Sequence, residues 1–301
     1  MFKKFLAMFI LVGCTFLPQL AHAQWQDNSF SYWYSPAFRE PDTNNGQDIM
    51  KNVIGFTHVD GGSKFGDNFL NIDMYHSNAG DPTAPAGAPT ATNNGPAAGA
   101  TEVYAVYRHS ISLSRLTGKK LAFGPVKDVS ATVGADLSTK NTTFAPGKKL
   151  PVAGLTFAIK VPKGFWTIST LWDKEWDHNG YGLYSGNMAK YDAGGAVTFN
   201  SAAMLATAWD IPFKISKAEF SFEGFGSINS AKGTGGDGLT TKPETLIHPK
   251  IMYNFGKLIN EKHNWQIGMG YEFWEHKYGV DCGVNTGCDQ NAPFGVLTIH
   301  L

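Results

Sequence analysis

The stretch Trp265-Gln266-Ile267-Gly268-Met269-Gly270-Tyr271-Glu272-Phe273 decides the fold class. Its odd positions are apolar or aromatic and its even positions are polar or glycine, the period of two that a strand with unlike faces requires. The same alternation runs through Val129, Ala131, Val133, Ala135 and Leu137, and through Ala153, Leu155, Phe157, Ile159 and Val161. It recurs where Ala218, Phe220, Phe222 and Gly224 alternate with Glu219, Ser221 and Glu223. Helical periodicity is hard to find, so a bundle, a coiled coil and a doubly wound fold all lack the segments they need. The chain is all-β. A soluble sandwich would alternate too, and alternation alone does not choose between water and lipid.

Connection lengths make that choice. Strands are predicted near 29–38, 49–59, 65–76, 101–115, 122–137, 153–161, 165–176, 193–210, 217–228, 245–256, 264–276 and 294–301. Links such as 60–64, 117–120, 162–164, 211–216 and 257–263 are short, whereas 39–48, 77–100, 138–152, 177–192, 229–244 and 277–292 are long. Strict alternation of short and long marks a transmembrane antiparallel barrel of about twelve strands, with short periplasmic turns and long external loops. Its strands need only about 9–11 residues each, and no stretch of the mature chain reaches the ~20 apolar residues of a membrane helix. The chain ends inside a strand, with Leu297, Ile299 and Leu301 on one face.

Two domain assignments follow. Residues 1–23 read as a signal peptide: Lys3 and Lys4 ahead of an apolar core from Phe5 to Val12, then Ala21-His22-Ala23 as the cleavage site. Residues 24–301 are the outer-membrane barrel. Leu11-Val12-Gly13-Cys14 has the form of a lipoprotein box and is a competing processing site. Past residue 23 only Cys282 and Cys288 remain, close together in an exported chain, and they are expected to form a small loop disulfide.

The 301 residues carry 25 Lys and Arg, of which three are Arg, against 25 Asp and Glu, and a charge of zero excludes nucleic acid as a partner. Gly233 to Gly238 fits G-x-G-x-x-G but lies in a loop with no helix after it, so it fails as a phosphate cradle. No H-E-x-x-H, G-x-S-x-G, Walker sequence or metal-spaced cysteine set occurs. The chain is not read as an enzyme, and no catalytic residue, metal or cofactor is indicated.

The informative residues are those the alternation turns inward. With Leu70, Ile72 and Met74 toward lipid, Asp67, Phe69, Asn71, Asp73 and Tyr75 face the lumen; with Val103, Ala105 and Tyr107 outside, Tyr104 and Arg108 face in. Trp33, Glu223, Phe225, Lys250, Glu272 and Trp274 join them. Rings beside carboxylates, cations and amides suit a weakly held solute with a flat face and hydroxyl groups. The same residues read equally as a hydrogen-bond network that stiffens the barrel. Phe30, Tyr32, Tyr34, Trp166, Trp172, Trp209, Trp265 and Tyr271 are expected in the interfacial girdles.

Several segments resemble the nucleoside-specific channel-forming porins of the Tsx type and the related OmpK-type outer-membrane proteins. They are Asp48 to His58 followed by Lys64-Phe65-Gly66-Asp67-Asn68-Phe69, then Ile111 to Lys127 with Phe123-Gly124-Pro125, then Gly154 to Gly182 through Trp172-Asp173-Lys174-Glu175-Trp176-Asp177. The likeness spans most of the mature chain. It implies a twelve-stranded, narrow, monomeric channel in the outer membrane of a Gram-negative bacterium, among outer-membrane lipid and lipopolysaccharide, passing nucleosides through aromatic-lined sites. It also implies external loops that serve phage or colicin as receptors. The Ala/Pro/Gly-rich loop at 77–100, the Cys282–Cys288 loop and the Leu301 terminus depart from the better-known members. A non-selective porin, a plugged surface barrel or adhesin, and a barrel hydrolase stand as alternatives.

Overall fold

A computed structural model describes residues 24–63, 65–83, 99–142, 147–178, 196–236, 238–259 and 264–301. The expected signal peptide, Cys14 and much of the loop expected at 77–100 lie outside the described residues. The strands are β1 (Trp25–Phe38), β2 (Ile49–Ser63), β3 (Gly66–Ser77), β4 (Thr101–Ser112), β5 (Val126–Lys140), β6 (Gly147–Ile159), β7 (Phe165–Asp173) and β8 (Trp176–His178). There follow β9 (Ala196–Thr198), β10 (Ala202–Ile215), β11 (Ala218–Asn229), β12 (Glu244–Asn254), β13 (Asn264–Glu275) and β14 (Gln290–His300).

Each long strand pairs antiparallel with its neighbours in sequence, β1 pairs with β14 and β5 with β6, so the sheet closes on itself. β8 and β9 pair with each other at the long-loop end and prolong β7 and β10 there, so the wall has twelve staves. Closure leaves no unpaired edge, which a backbone in hydrocarbon requires. Ser29 pairs with His300, placing both ends of the described chain at the rim of short turns.

Registered partners share a face, and burial shows which face it is. Trp33, Val53, Tyr75, Glu102 and Lys140 form one continuous row and point inward. Outside, Ile54, Leu137, Leu205, Ile251 and Met269 are exposed. Phe213 stacks on Phe220 at 5.6 Å in the girdle near the short turns, and every aromatic expected in the girdles lies on the outer face. An apolar exterior on a closed antiparallel wall is the form of an outer-membrane barrel. Among the described residues no helix is long and apolar enough to cross a membrane.

Two inward clusters fill part of the lumen: Trp33, Phe38, Ile49, Val53, Met252, Phe294 and Val296, and separately Leu150, Val152, Leu171 and Met204. A small lumen is packed by side chains because twelve staves leave little room.

Boundaries shift from the expected ones where turn chemistry intervenes. The link expected at 117–120 runs from 113 to 125 and contains a helical turn, α1 (Leu113–Thr117). Ser112 caps it by accepting from the Arg115 N–H, and Gly118 closes it at φ 70°. Leu113 and Leu121 there pack against Val126, Val129 and Ile159. Pro249 has no N–H for the ladder, and β12–β13 pairing passes from Ile247–Phe273 directly to Lys250–Gly270. Cys282 and Cys288 form the expected disulfide, with Cα atoms 5.6 Å apart.

Candidate functional site

All thirteen lumenal positions expected from the alternation lie on the inner face. The structure divides them among four environments.

The first is aromatic. Trp33 meets Phe38 at 5.5 Å, Phe294 at 5.1 Å, Tyr75 edge-on at 5.7 Å and His248 edge-on at 5.3 Å. His248 is sandwiched between Phe294 at 4.4 Å and Phe225 at 4.8 Å. Glu272 fixes that imidazole, its Oε2 2.8 Å from Nδ1, and accepts from Gln290 through its other oxygen. Phe225 is 44% exposed, so one ring face rests on His248 and the other is open to the lumen. Offset and edge-on ring pairs of this kind add about 0.5–1.5 kcal/mol each beyond burial.

The second environment is polar and lies around it. Asn71 accepts from Thr57 at 2.7 Å and donates to Asp73 at 2.9 Å. Glu223 accepts from Ser221 and pairs with Lys250 at 3.1 Å. Arg108 and Tyr104 both donate to Asp136. Along the inner wall, hydroxyls of Ser110, Thr132, Thr156 and Ser169 run strand to strand from β4 to β7 in contacts of 2.7–2.8 Å.

The third lies at the short-turn end. Asp67 is held by Arg115 of α1 and by the Gly62 N–H, so it braces a turn. Phe69, at the same end, is 37% exposed.

The fourth is the external mouth, where Trp274 donates to Glu244 at 2.7 Å and stands edge-on to Tyr278. A cavity of about 140 Å³ opens there, lined by Glu40, Glu102, Lys140, Lys148, Asp177, Phe199 and Tyr278 among others. Glu40 folds in from the β1–β2 loop to pair with Lys51 and with Lys277, 3.2 Å away. Asp81 pairs with Lys51 at 3.3 Å and Lys140 at 2.8 Å. Glu175 pairs with Lys232 at 2.6 Å and Lys148 at 3.6 Å. Burial alone would raise the Glu40 pKa, but Lys140, Lys277 and Lys51 together hold it well below the ordinary glutamate range. The same opposition holds Glu175 down to about 2: burial raises it, and Lys148 and Lys232 outweigh burial.

Sequence reasoning missed Glu40 and Lys277 because both sit in loops, where alternation assigns no face. It missed Phe294 because an apolar side chain on a barrel strand reads as lipid-facing. His276, two positions past Trp274, leaves the inner face, because the backbone turns left-handed there at φ 48° and carries it into the loop.

No protein-family profile matches the chain, and no curated protein matches it. Among solved structures the chain is similar to the NanC porin, at 8% identity over 91% of this chain and 98% of that one, with a TM-score of 0.41. It is also similar to Pseudomonas aeruginosa OpdK with vanillate, at 9% identity over 93% and 98% of the two chains, TM-score 0.25. Acinetobacter baumannii OccAB1 is similar at 8% identity over 93% and 97%, TM-score 0.28.

Proposed function

We propose that the barrel is a passive channel for small hydrophilic solutes, with nucleosides the favoured cargo and a single chain the working unit. The open face of Phe225 carries this reading. A base stacked there gains about 1–3 kcal/mol, and Glu223, Ser221 and Lys250 on the adjoining inner positions offer acceptors and donors to sugar hydroxyls. Such a site stays weak, which release on the far side requires. Conductance of the purified protein in a planar bilayer, titrated with adenosine and thymidine, tests it. Saturable block supports a nucleoside channel; conductance without block leaves a non-selective porin.

A plugged surface barrel, acting as a receptor or adhesin, is the second reading. It is favoured by Phe38, Ile49, Val53 and Met252, which point into the lumen and are at most 1% exposed. Absence of any conductance would establish it over the first.

A further inference from the structure

Pairing, not composition, sets the charge a solute meets inside this barrel. Among the described residues, the lysines and arginines that the strands turn inward are all ion-paired, from Lys51 and Arg108 at one wall to Lys250 at another. The carboxylates are not. Among the described residues no ion pair or side-chain hydrogen bond engages Glu102, Asp173 or Asp210. Glu102 lines the external cavity. Asp173 lies further in, registered with Val152 and Ala202 on the inner face; it is 2% exposed, and its Oδ2 has no hydrogen-bond partner. Asp210 lies near the short-turn end, registered with Glu223, and its Oδ1 is also buried without a partner.

A sequence of zero net charge therefore folds into a lumen whose inward lysines and arginines are all held in ion pairs, while three carboxylates spaced from the external mouth to the periplasmic end make no direct pair. Burying a carboxylate without a counter-charge is costly. A cation in the lumen is attracted to these charges through the low-dielectric wall, whereas an anion is repelled. Carboxylates lining a pore with low-dielectric walls concentrate cations in the same way. We infer that Glu102, Asp173 and Asp210 make the lumen cation-selective, so that solutes bearing an ammonium or similar cationic group are admitted over anionic ones of equal size. This rests on the channel reading above.

The test is the zero-current potential of the protein in a planar bilayer under a potassium chloride gradient at about pH 8, where accessible carboxylates are ionised. The unmodified protein should pass potassium over chloride several-fold. Each of Glu102→Gln, Asp173→Asn and Asp210→Asn should lower that ratio, and the triple variant should bring it close to one. Replacing potassium by ethanolammonium should retain a cation current that glycolate in place of chloride does not match. Heat-modifiable electrophoretic migration verifies that each variant is a folded barrel, and any one folded single variant suffices to read the direction. A ratio of one or below in the unmodified protein, or a ratio that the substitutions leave unchanged, overturns the inference while the channel stands. No conductance at all overturns the channel reading together with it.

Discussion

Glu40 and Lys277 are 237 residues apart in sequence and meet inside the barrel mouth, with Nζ 3.2 Å from Oε1. The contact ties the β1–β2 loop to the β13–β14 loop. The same lysine donates to the Arg39 carbonyl at 2.8 Å and to Gln290 at 3.0 Å. Further out, Asp42 and Thr286 exchange hydrogen bonds of 2.8 and 3.0 Å. The two loops are clasped across the seam where β1 closes on β14.

Removing the central charge exposes that dependence. Glu40→Gln leaves Lys277 without its carboxylate and Lys51 with only Asp81, both lysines being buried. Breaking a buried pair from one side costs about 3–5 kcal/mol. The expected result is a lower urea midpoint for the barrel; an unchanged midpoint would show the clasp to be energetically idle.

The clasp also sets an acid limit. Both Glu40 and Glu175 have folded pKa values below the unfolded value near ~4.3, so their pairing stabilises fully above that value and is lost as pH falls through the folded one. Glu175, at about 2, releases last. Urea midpoints measured as a function of pH should be flat from neutral to about pH 5 and decline below about pH 4. A decline already centred near neutrality would contradict this pairing.

Ring substitutions should separate binding from packing. Phe225→Ala removes the open stacking face and should weaken nucleoside block by roughly 5- to 150-fold, the equivalent of about 1–3 kcal/mol. Trp274→Ala should weaken it less, because that ring is already engaged with Glu244, Tyr278 and the Lys277 ammonium. Trp33→Ala should raise single-channel conductance by opening the aromatic cluster, at about 3–5 kcal/mol of stability. Equal losses of block in all three would refute the division of the lumen drawn from these contacts.

The β6–β7 turn tolerates no side chain at Gly164. Its φ is +75°, and a Cβ there would stand 1.9 Å from the Asp210 carbonyl oxygen. Gly164→Ala should reduce the yield of folded barrel on refolding, whereas Gly118→Ala, with open space around it, should show only the smaller backbone penalty. Equal refolding yields for the two would remove the steric argument.

Reduction of Cys282–Cys288 should loosen only its own loop. The bridge spans six positions and lies outside the sheet, and chain entropy for so short a loop amounts to about 2 kcal/mol at most. The barrel's melting temperature should hold in reducing buffer while protease cleavage within 276–289 accelerates. A large fall in melting temperature would mean that the loop clasp carries the sheet.

The alternation of Trp265 to Phe273 and its counterparts determined that this chain is all-β, and determined the side of the wall on which Trp33, Phe225 and Tyr271 stand. Side-chain direction in a strand is a local property with a period of two, so it is legible wherever strand limits are approximately right. Connection lengths chose the barrel and disclosed which rim carries most of the long connections, although the link expected to be long at 138–152 is only 141–146 between β5 and β6. Tertiary structure alone decided what the inward residues do to one another. Glu40 reaches Lys277, His248 lies between Phe225 and Phe294, and the Asp173 Oδ2 has no hydrogen-bond partner among the described residues, because strands distant in sequence are brought face to face across a lumen some side chains wide. Charge pairing and ring contact depend on distances across that space, and no period in the sequence encodes them.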